Sequence, residues 1–297
     1  MGKALAEAFP IAKHIFQEVD EALKQNLSQI IFEGPEEALT ATSNTQPALM
    51  AVSIAVLRVL EEQGGKSLKQ LCAYVAGHSL GEYSALTAAG AITLSDSARL
   101  LRIRGNAMQE AVPAGKGAMA ALIGVEFEVA QEIAKRVTNG GVCQAANDNG
   151  GGQVVLSGTT GAIDNAIAIA AEYGVRRAVK LPVSAPFHSS LMEPAAKVMA
   201  EALAAVSIEV PVVPLIANVT AEETSDPNEI RDLLVRQVTG TVRWRESVGT
   251  LKTKGVTQAI EIGAGKVLAG LVKRIDKDID ALSLQTPEEI EQFLKTL

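Results

Sequence analysis

An apolar run, Leu71 to Ala76, enters Gly77-His78-Ser79-Leu80-Gly81, and a helix-forming run beginning at Glu82 leaves it. A chain that changes from strand to helix within five residues needs a sharp bend, and Gly-x-Ser-x-Gly at that junction is the pattern of a nucleophile elbow. Glycines at 77 and 81 let the backbone turn and let neighbouring elements approach, so Ser79 is lifted out of the sheet with its hydroxyl exposed. A serine so placed is built to attack a carbonyl. The bland alternative is a tight turn in which Ser79 only caps the next helix.

The chain has 297 residues, 47% of them apolar and 21% charged, which is ordinary for a globular enzyme with a sizeable core. A net charge of -7 without acidic or basic blocks argues against nucleic acid or an anionic membrane as the main partner. The apolar stretch from Ala48 to Leu57 stops short of the ~18 residues a membrane span needs. No secretory or myristoylation signal opens the chain, so a cytoplasmic location is expected. Cys72 and Cys143 lie far apart and read as buried free thiols. With only His14, His78 and His188 and no zinc-like spacing, neither a metal nor a cofactor is expected.

Apolar periodicity predicts helix from Lys3 to Leu27 with a break at Pro10, a helix from Thr45 to about Gln63, and another from Ser95 to Ala111. Pro113-Ala114-Gly115-Lys116-Gly117 reads as a boundary. Beyond it come strand 118–123, helix 126–137, strands 142–146 and 153–157, helix 160–173 and strand 175–181. This β-α-β-β-α-β order is the ferredoxin-like split motif. Further on, helices over about 191–205, 228–238 and 246–254 alternate with strands near 212–217 and 258–262, and a helix runs to about 275. The expected fold is therefore α/β, with an α/β-hydrolase-like, mostly parallel sheet core (1–114 and 186–297) and an inserted ferredoxin-like subdomain at 115–185.

A nucleophilic serine needs a base. His14 sits on a polar helix face and His78 turns away from its neighbour in a sharp bend. That leaves His188, in a proline-punctuated loop after a strand, where functional residues collect. A structural histidine remains the alternative there. Asp96, Asp148 and Asp164 lie between Ser79 and His188, none in a diagnostic context, and a backbone carbonyl can hold an imidazole N–H equally well. An arginine fork would suit a substrate bearing a carboxylate, with Arg104 the candidate. On the residues alone, an exposed helical arginine is the favoured reading of Arg104.

Several motifs together match one family: Thr45-Gln46-Pro47-Ala48-Leu49, Gly77-His78-Ser79-Leu80-Gly81-Glu82-Tyr83-Ser84, Arg104-Gly105 with Met108-Gln109, and Gln153-Val154-Val155. Further along come Ser184-Ala185-Pro186-Phe187-His188-Ser189, Val235-Arg236-Gln237, Val242-Arg243-Trp244, and Glu261-Ile262-Gly263 with Gly265-Lys266-Val267-Leu268. From end to end the chain resembles the malonyl-CoA:acyl-carrier-protein transacylases of dissociated bacterial fatty-acid synthesis. The resemblance implies ping-pong transfer: Ser79 takes malonyl from malonyl-CoA, releases coenzyme A, and passes the acyl group to the phosphopantetheine thiol of acyl carrier protein. It implies His188 as base and then acid, Gln237 orienting His188 through its backbone carbonyl, and the Leu80 amide as an oxyanion donor. Arg104 would hold the malonyl carboxylate, and Phe187 would favour malonyl over methylmalonyl.

The family begins with a strand and a Gly-Gln-Gly-Ser-Gln stretch, whereas here Met1-Gly2 falls where the end of that region should be. The chain as written is therefore expected to lack one oxyanion donor, to turn over slowly and to be less stable than an extended form. Competing readings are a serine hydrolase or thioesterase of small acyl esters and a catalytically weak carrier-binding protein. A monomer is expected. Arg176, Arg177, Lys180, Arg243, Arg245, Lys266, Lys273 and Arg274 could supply a basic surface for the acidic carrier.

Overall fold

The computed structural model describes residues 1–183 and 185–297; Ser184 lies outside them. Pro10 separates α1 (Lys3–Ala8) from α2 (Pro10–Leu23), its missing N–H falling in a first turn that has no partner for it. Two short helices that the periodicity did not signal follow, α3 (Leu27–Glu33) and α4 (Glu36–Thr40). The long α5 (Thr42–Gly64) starts at Thr42 rather than Thr45, so Pro47 lies inside it. Met50, Ile54, Leu57 and Val59 are among its buried residues, and burial around so much of its circumference makes it a core helix. After α6 (Leu68–Leu71) and β1 (Val75–Ala76), the elbow leads into α7 (Gly81–Ala88) and then α8 (Leu94–Glu110). Helices α2 and α8 pack on α5, and their apolar faces form the main core with Leu5, Phe16, Leu100 and Leu101.

The middle of the chain follows the expected order: β2 (Gly117–Ile123), α9 (Phe127–Arg136), β3 (Cys143–Asp148), β4 (Gln153–Thr159), α10 (Thr160–Ile169) and β5 (Arg177–Lys180). The four strands form an antiparallel sheet in the order β3-β4-β2-β5. Leu122, Ile133, Leu156 and Ile163 pack between that sheet and its two helices as a core of their own. The sheet is tied to the rest by Val242, which exchanges backbone hydrogen bonds with Asp148 and Ala146 at 2.9 Å each, and by an Arg245–Asp148 ion pair at 2.8 Å.

The remaining elements are α11 (Glu193–Ala204), β6 (Leu215–Ile216), β7 (Glu223–Thr224), α12 (Pro227–Gln237), α13 (Trp244–Thr253), β8 (Gln258–Ile262), α14 (Val267–Ile275), β9 (Asp280–Leu284) and α15 (Pro287–Leu294). The overall class is mixed α/β. Among the described residues the parallel strand pairs are β1 with β6 and β8 with β9, an isolated parallel bridge joins Asn147 to Val242, and β7 pairs antiparallel with β6. The strand expected over 212–217 shortens to two residues because Val210 and Val212 are exposed and their segment spends its hydrogen bonds on the loop at Ala89 and Ala91. No helix among the described residues is long and apolar enough to cross a membrane.

Candidate active site

The bend after β1 places its strain on the serine. Ser79 has φ 55°, a left-handed conformation that a non-glycine residue adopts only when its surroundings impose it. Gly77 is sterically required, since a Cβ there would meet the Gly81 carbonyl oxygen at 1.9 Å. Gly81 is not, because a Cβ there would meet nothing within 4 Å. Asn218 holds the bend: its Oδ1 accepts the Ser79 N–H at 2.7 Å and its Nδ2 donates to the Gly77 carbonyl at 2.7 Å. Asn218 follows β6 just as the elbow follows β1, so two parallel strands deliver both residues to the same sheet end.

Ser79 Oγ lies 2.7 Å from His188 Nε2, and His188 Nδ1 lies 2.8 Å from the Gln237 carbonyl oxygen. A carbonyl can only accept, so Nδ1 carries the proton and Nε2 presents a lone pair to the serine hydroxyl. His188 is also left-handed, at φ 56°. Burial, reinforced by the nearby Arg104 charge, pulls its pKa down to about 3, so the ring is neutral at physiological pH. None of the three candidate aspartates reaches it. Asp96 pairs with Arg99 at 2.8 Å, Asp148 with Arg245 and Asp164 with Lys180 at 2.7 Å.

Arg104 corrects the expectation of an exposed helical arginine. It is 1% exposed and among the largest fully buried side chains. Gly105 explains how: a Cβ at 105 would meet Ser43 Cα at 2.5 Å, so α8 and α5 touch backbone to backbone and Arg104 is driven against Gln46. Its terminal nitrogens donate to Gln46 Oε1 at 2.7 Å, Gln237 Oε1 at 2.8 Å and Ser79 Oγ at 3.1 Å. Its Nε is buried without a hydrogen-bond partner among the described residues. Burial lowers its pKa from the usual value, yet a guanidinium keeps its charge at neutral pH. The result is a fixed cation beside the Ser79 hydroxyl.

Both groups line one cleft of about 130 Å³, walled by Thr42, Thr45, Gln46, Leu80, Met108 and Phe187. Leu80 is the N-cap of α7, so its amide has no intrahelical partner and lies at the positive end of the helix dipole. His78 is half-buried and turned away from the serine, its Nε2 2.9 Å from Asn149 Oδ1 and its ring against Trp244. His14 is exposed on α2, far in sequence from these groups. Sequence reasoning missed Gln46, Glu82 and Asn218 as parts of the site. Glu82 had a signal, a carboxylate two residues from an apolar run in a helix whose other faces are buried. Asn218 and Gln46 had none that spacing could supply.

Of the basic residues, Lys180, Arg243 and Arg245 are spent on ion pairs with Asp164, Glu246 and Asp148. Arg176, Arg177, Lys266, Lys273 and Arg274 are exposed and in no ion pair among the described residues.

Residues 1–284 match the acyl transferase domain family. The chain is 46% identical over 298 residues to a malonyl CoA-acyl carrier protein transacylase of Bacillus subtilis, covering 100% of this chain and 92% of the relative. Its fold superposes with a TM-score of 0.97 and 57% identity on an acyl-carrier-protein-S-malonyltransferase from Bartonella henselae, covering 100% of this chain and 94% of the other. It is also similar to a malonyl-transacylase solved in complex with a type II PKS acyl-carrier protein, with a TM-score of 0.96, 40% identity and coverage of 100% and 95%.

Proposed function

We propose, for a chain that belongs to the acyl transferase domain family, that it moves malonyl from malonyl-CoA to the phosphopantetheine thiol of an acyl carrier protein through a malonyl ester on Ser79. The observation that carries this reading is the buried Arg104 guanidinium 3.1 Å from the Ser79 oxygen. A cation fixed that close to a nucleophile selects an acyl group short enough to span the gap and charged at its far end.

His188 Nε2 takes the Ser79 proton as Oγ attacks the thioester carbonyl, and the Leu80 amide faces the oxygen that becomes negative. The C–S bond then breaks, and the coenzyme A sulfur leaves with the proton from His188. In the second half the carrier thiol gives its proton to His188, its sulfur attacks the serine ester, and Ser79 recovers the proton. The incoming carboxylate offsets the Arg104 charge, one of the causes that depress His188, so substrate binding makes the base stronger. Gln237 keeps the ring in the productive tautomer through its carbonyl, which takes the place of a triad carboxylate. Phe187 narrows the cleft against a branched acyl chain.

The same reading divides the chain into an α/β-hydrolase-like core (1–114 and 186–297) and a ferredoxin-like subdomain (115–185), acting as a cytoplasmic monomer without a cofactor. Arg176, Arg177, Lys266, Lys273 and Arg274 are the cations left for an acidic carrier. Intact-mass measurement after exposure to malonyl-CoA tests the proposal. The expected result is one malonyl adduct, absent from Ser79→Ala, that clears quickly with carrier protein and slowly in buffer. No adduct, or equally fast clearance in buffer, contradicts it, the latter in favour of a hydrolase.

A further inference from the structure

The site holds a second buried charge that the transfer steps do not use. Glu82, in the first turn of α7, is 1% exposed. Its Oε1 accepts the Asn218 N–H at 3.1 Å, and its Oε2 accepts from Gln237 Nε2 in a short hydrogen bond. The Gln237 amide has one orientation that suits its neighbours. Its Oε1 faces the Arg104 guanidinium, so its NH2 faces Glu82, and it also donates to the Ser79 carbonyl at 2.9 Å. Both oxygens accept and neither faces an acceptor, the arrangement that suits an ionised carboxylate. Glu82 and Arg104 are thus a buried ion pair relayed through one neutral amide.

We infer that Glu82 is a positioning residue for acyl-group selection: as a carboxylate it holds the Gln237 amide with its oxygen toward Arg104, which aims the guanidinium into the Ser79 cleft. This deepens the acyl-transfer reading and rests on it. A neutral amide at position 82 has one oxygen and one NH2, so its NH2 faces either the Asn218 N–H or the Gln237 NH2, and in the second arrangement N–H is set against N–H at Gln237. The relief is for the Gln237 side chain to turn over, which brings its NH2 against the guanidinium and drives Arg104 from its place. The bond from the Gln237 main-chain carbonyl to His188 is untouched by that turn. That turn also gives up the Gln237 bond to the Ser79 carbonyl, so loss of the Glu82 charge slows loading of both acyl groups but weakens the handling of a free acyl carboxylate more than attack by Ser79, whose base keeps its tautomer.

Protonation does the same as substitution. The charged and titratable groups that act on Glu82 are Arg104 from α8 and Tyr83 beside it on α7, whose buried hydroxyl is neutral, while the neutral His188 ring lies on the far side of Gln237. Burial outweighs the bonds from Asn218 and Gln237 and the Arg104 charge, and pushes the Glu82 pKa up to about 7. The group is charged above that pH and neutral below it, so preference for a carboxylate-bearing acyl group declines as pH falls through about 7.

The test is the ratio of kcat/KM for loading malonyl-CoA and acetyl-CoA, followed from about pH 5.5 to about 8.5 in the native protein and Glu82→Gln. The expected native ratio drops about tenfold with a midpoint near 7, and the variant's ratio is low and flat with pH. A variant slowed equally toward both thioesters marks a merely structural role and overturns the inference. So does a native ratio that ignores pH, a result that stands even if the variant fails to fold. Loading of neither thioester by the native protein overturns the acyl-transfer reading itself, whereas loading of both by native protein and variant with an unchanged ratio overturns this inference alone.

Discussion

The four-stranded sheet over Gly117–Lys180 and the cleft around Ser79 are assembled in opposite ways. The sheet is one continuous stretch of chain with short connections, its own apolar core and antiparallel neighbours. The cleft draws Gln46 from α5, Ser79 and Glu82 from the elbow, Arg104 from α8, His188 from a loop, Asn218 from the end of β6 and Gln237 from the end of α12. The sheet's stability rests on burial of apolar side chains, and the cleft's order on a polar network sealed from water. The chain's chemistry therefore depends on contacts far apart in sequence, while much of its regular structure depends on local ones.

The widest separation between the two should come from Ser79→Ala and His188→Ala. Each is expected to lower loading by ~1000-fold or more while leaving the melting curve nearly unchanged. A large shift in melting temperature would show that the pair also holds the fold together. Arg104→Ala is the next largest effect and crosses the divide. Malonyl loading should fall ~100-fold with acetyl loading far less affected, and because Glu82 is left as an uncompensated buried anion, denaturant unfolding should record a loss of ~3 kcal/mol. Equal losses for both acyl groups would remove Arg104 from substrate selection.

On the other side, Leu122→Ala in β2 should cost ~2–4 kcal/mol in denaturant unfolding and leave kcat/KM per folded molecule unchanged. If activity falls in step with stability in samples shown to be folded, the sheet is part of the catalytic unit. Reversing charge at Arg176 and Arg177 should weaken turnover with carrier protein a few-fold, more at low salt than high, and spare loading from coenzyme A. The smallest expected effect concerns pH. Since His188 stays neutral down to about pH 3, acetyl loading should show no loss of its base between about pH 8 and 5, and an acid limb in that window would contradict the burial assigned to the ring.

The same contrast explains what could be read in the sequence. The β-α-β-β-α-β order over 117–180 was legible because alternation and glycine punctuation are local signals, and all six elements fall within a few residues of their expected bounds. The elbow was legible for the same reason, although its left-handed residue is Ser79 itself rather than a glycine. Arg104 was misplaced because burial of an arginine follows from helix-to-helix contact at Gly105, which no single-helix pattern reports. Asn218 and Gln46 were invisible because an isolated amide side chain carries no periodicity. The two-residue β1 and β6 were overextended in the other direction, since apolar runs were read as strand where the chain is loop.

The central claim is that Ser79 carries the acyl group. Peptide mapping by mass spectrometry of protein quenched in acid after brief exposure to malonyl-CoA tests it most directly. The account predicts a malonyl ester on the Ser79 peptide and on no other. Malonyl on a cysteine or any other residue, with Ser79 unmodified, would contradict it.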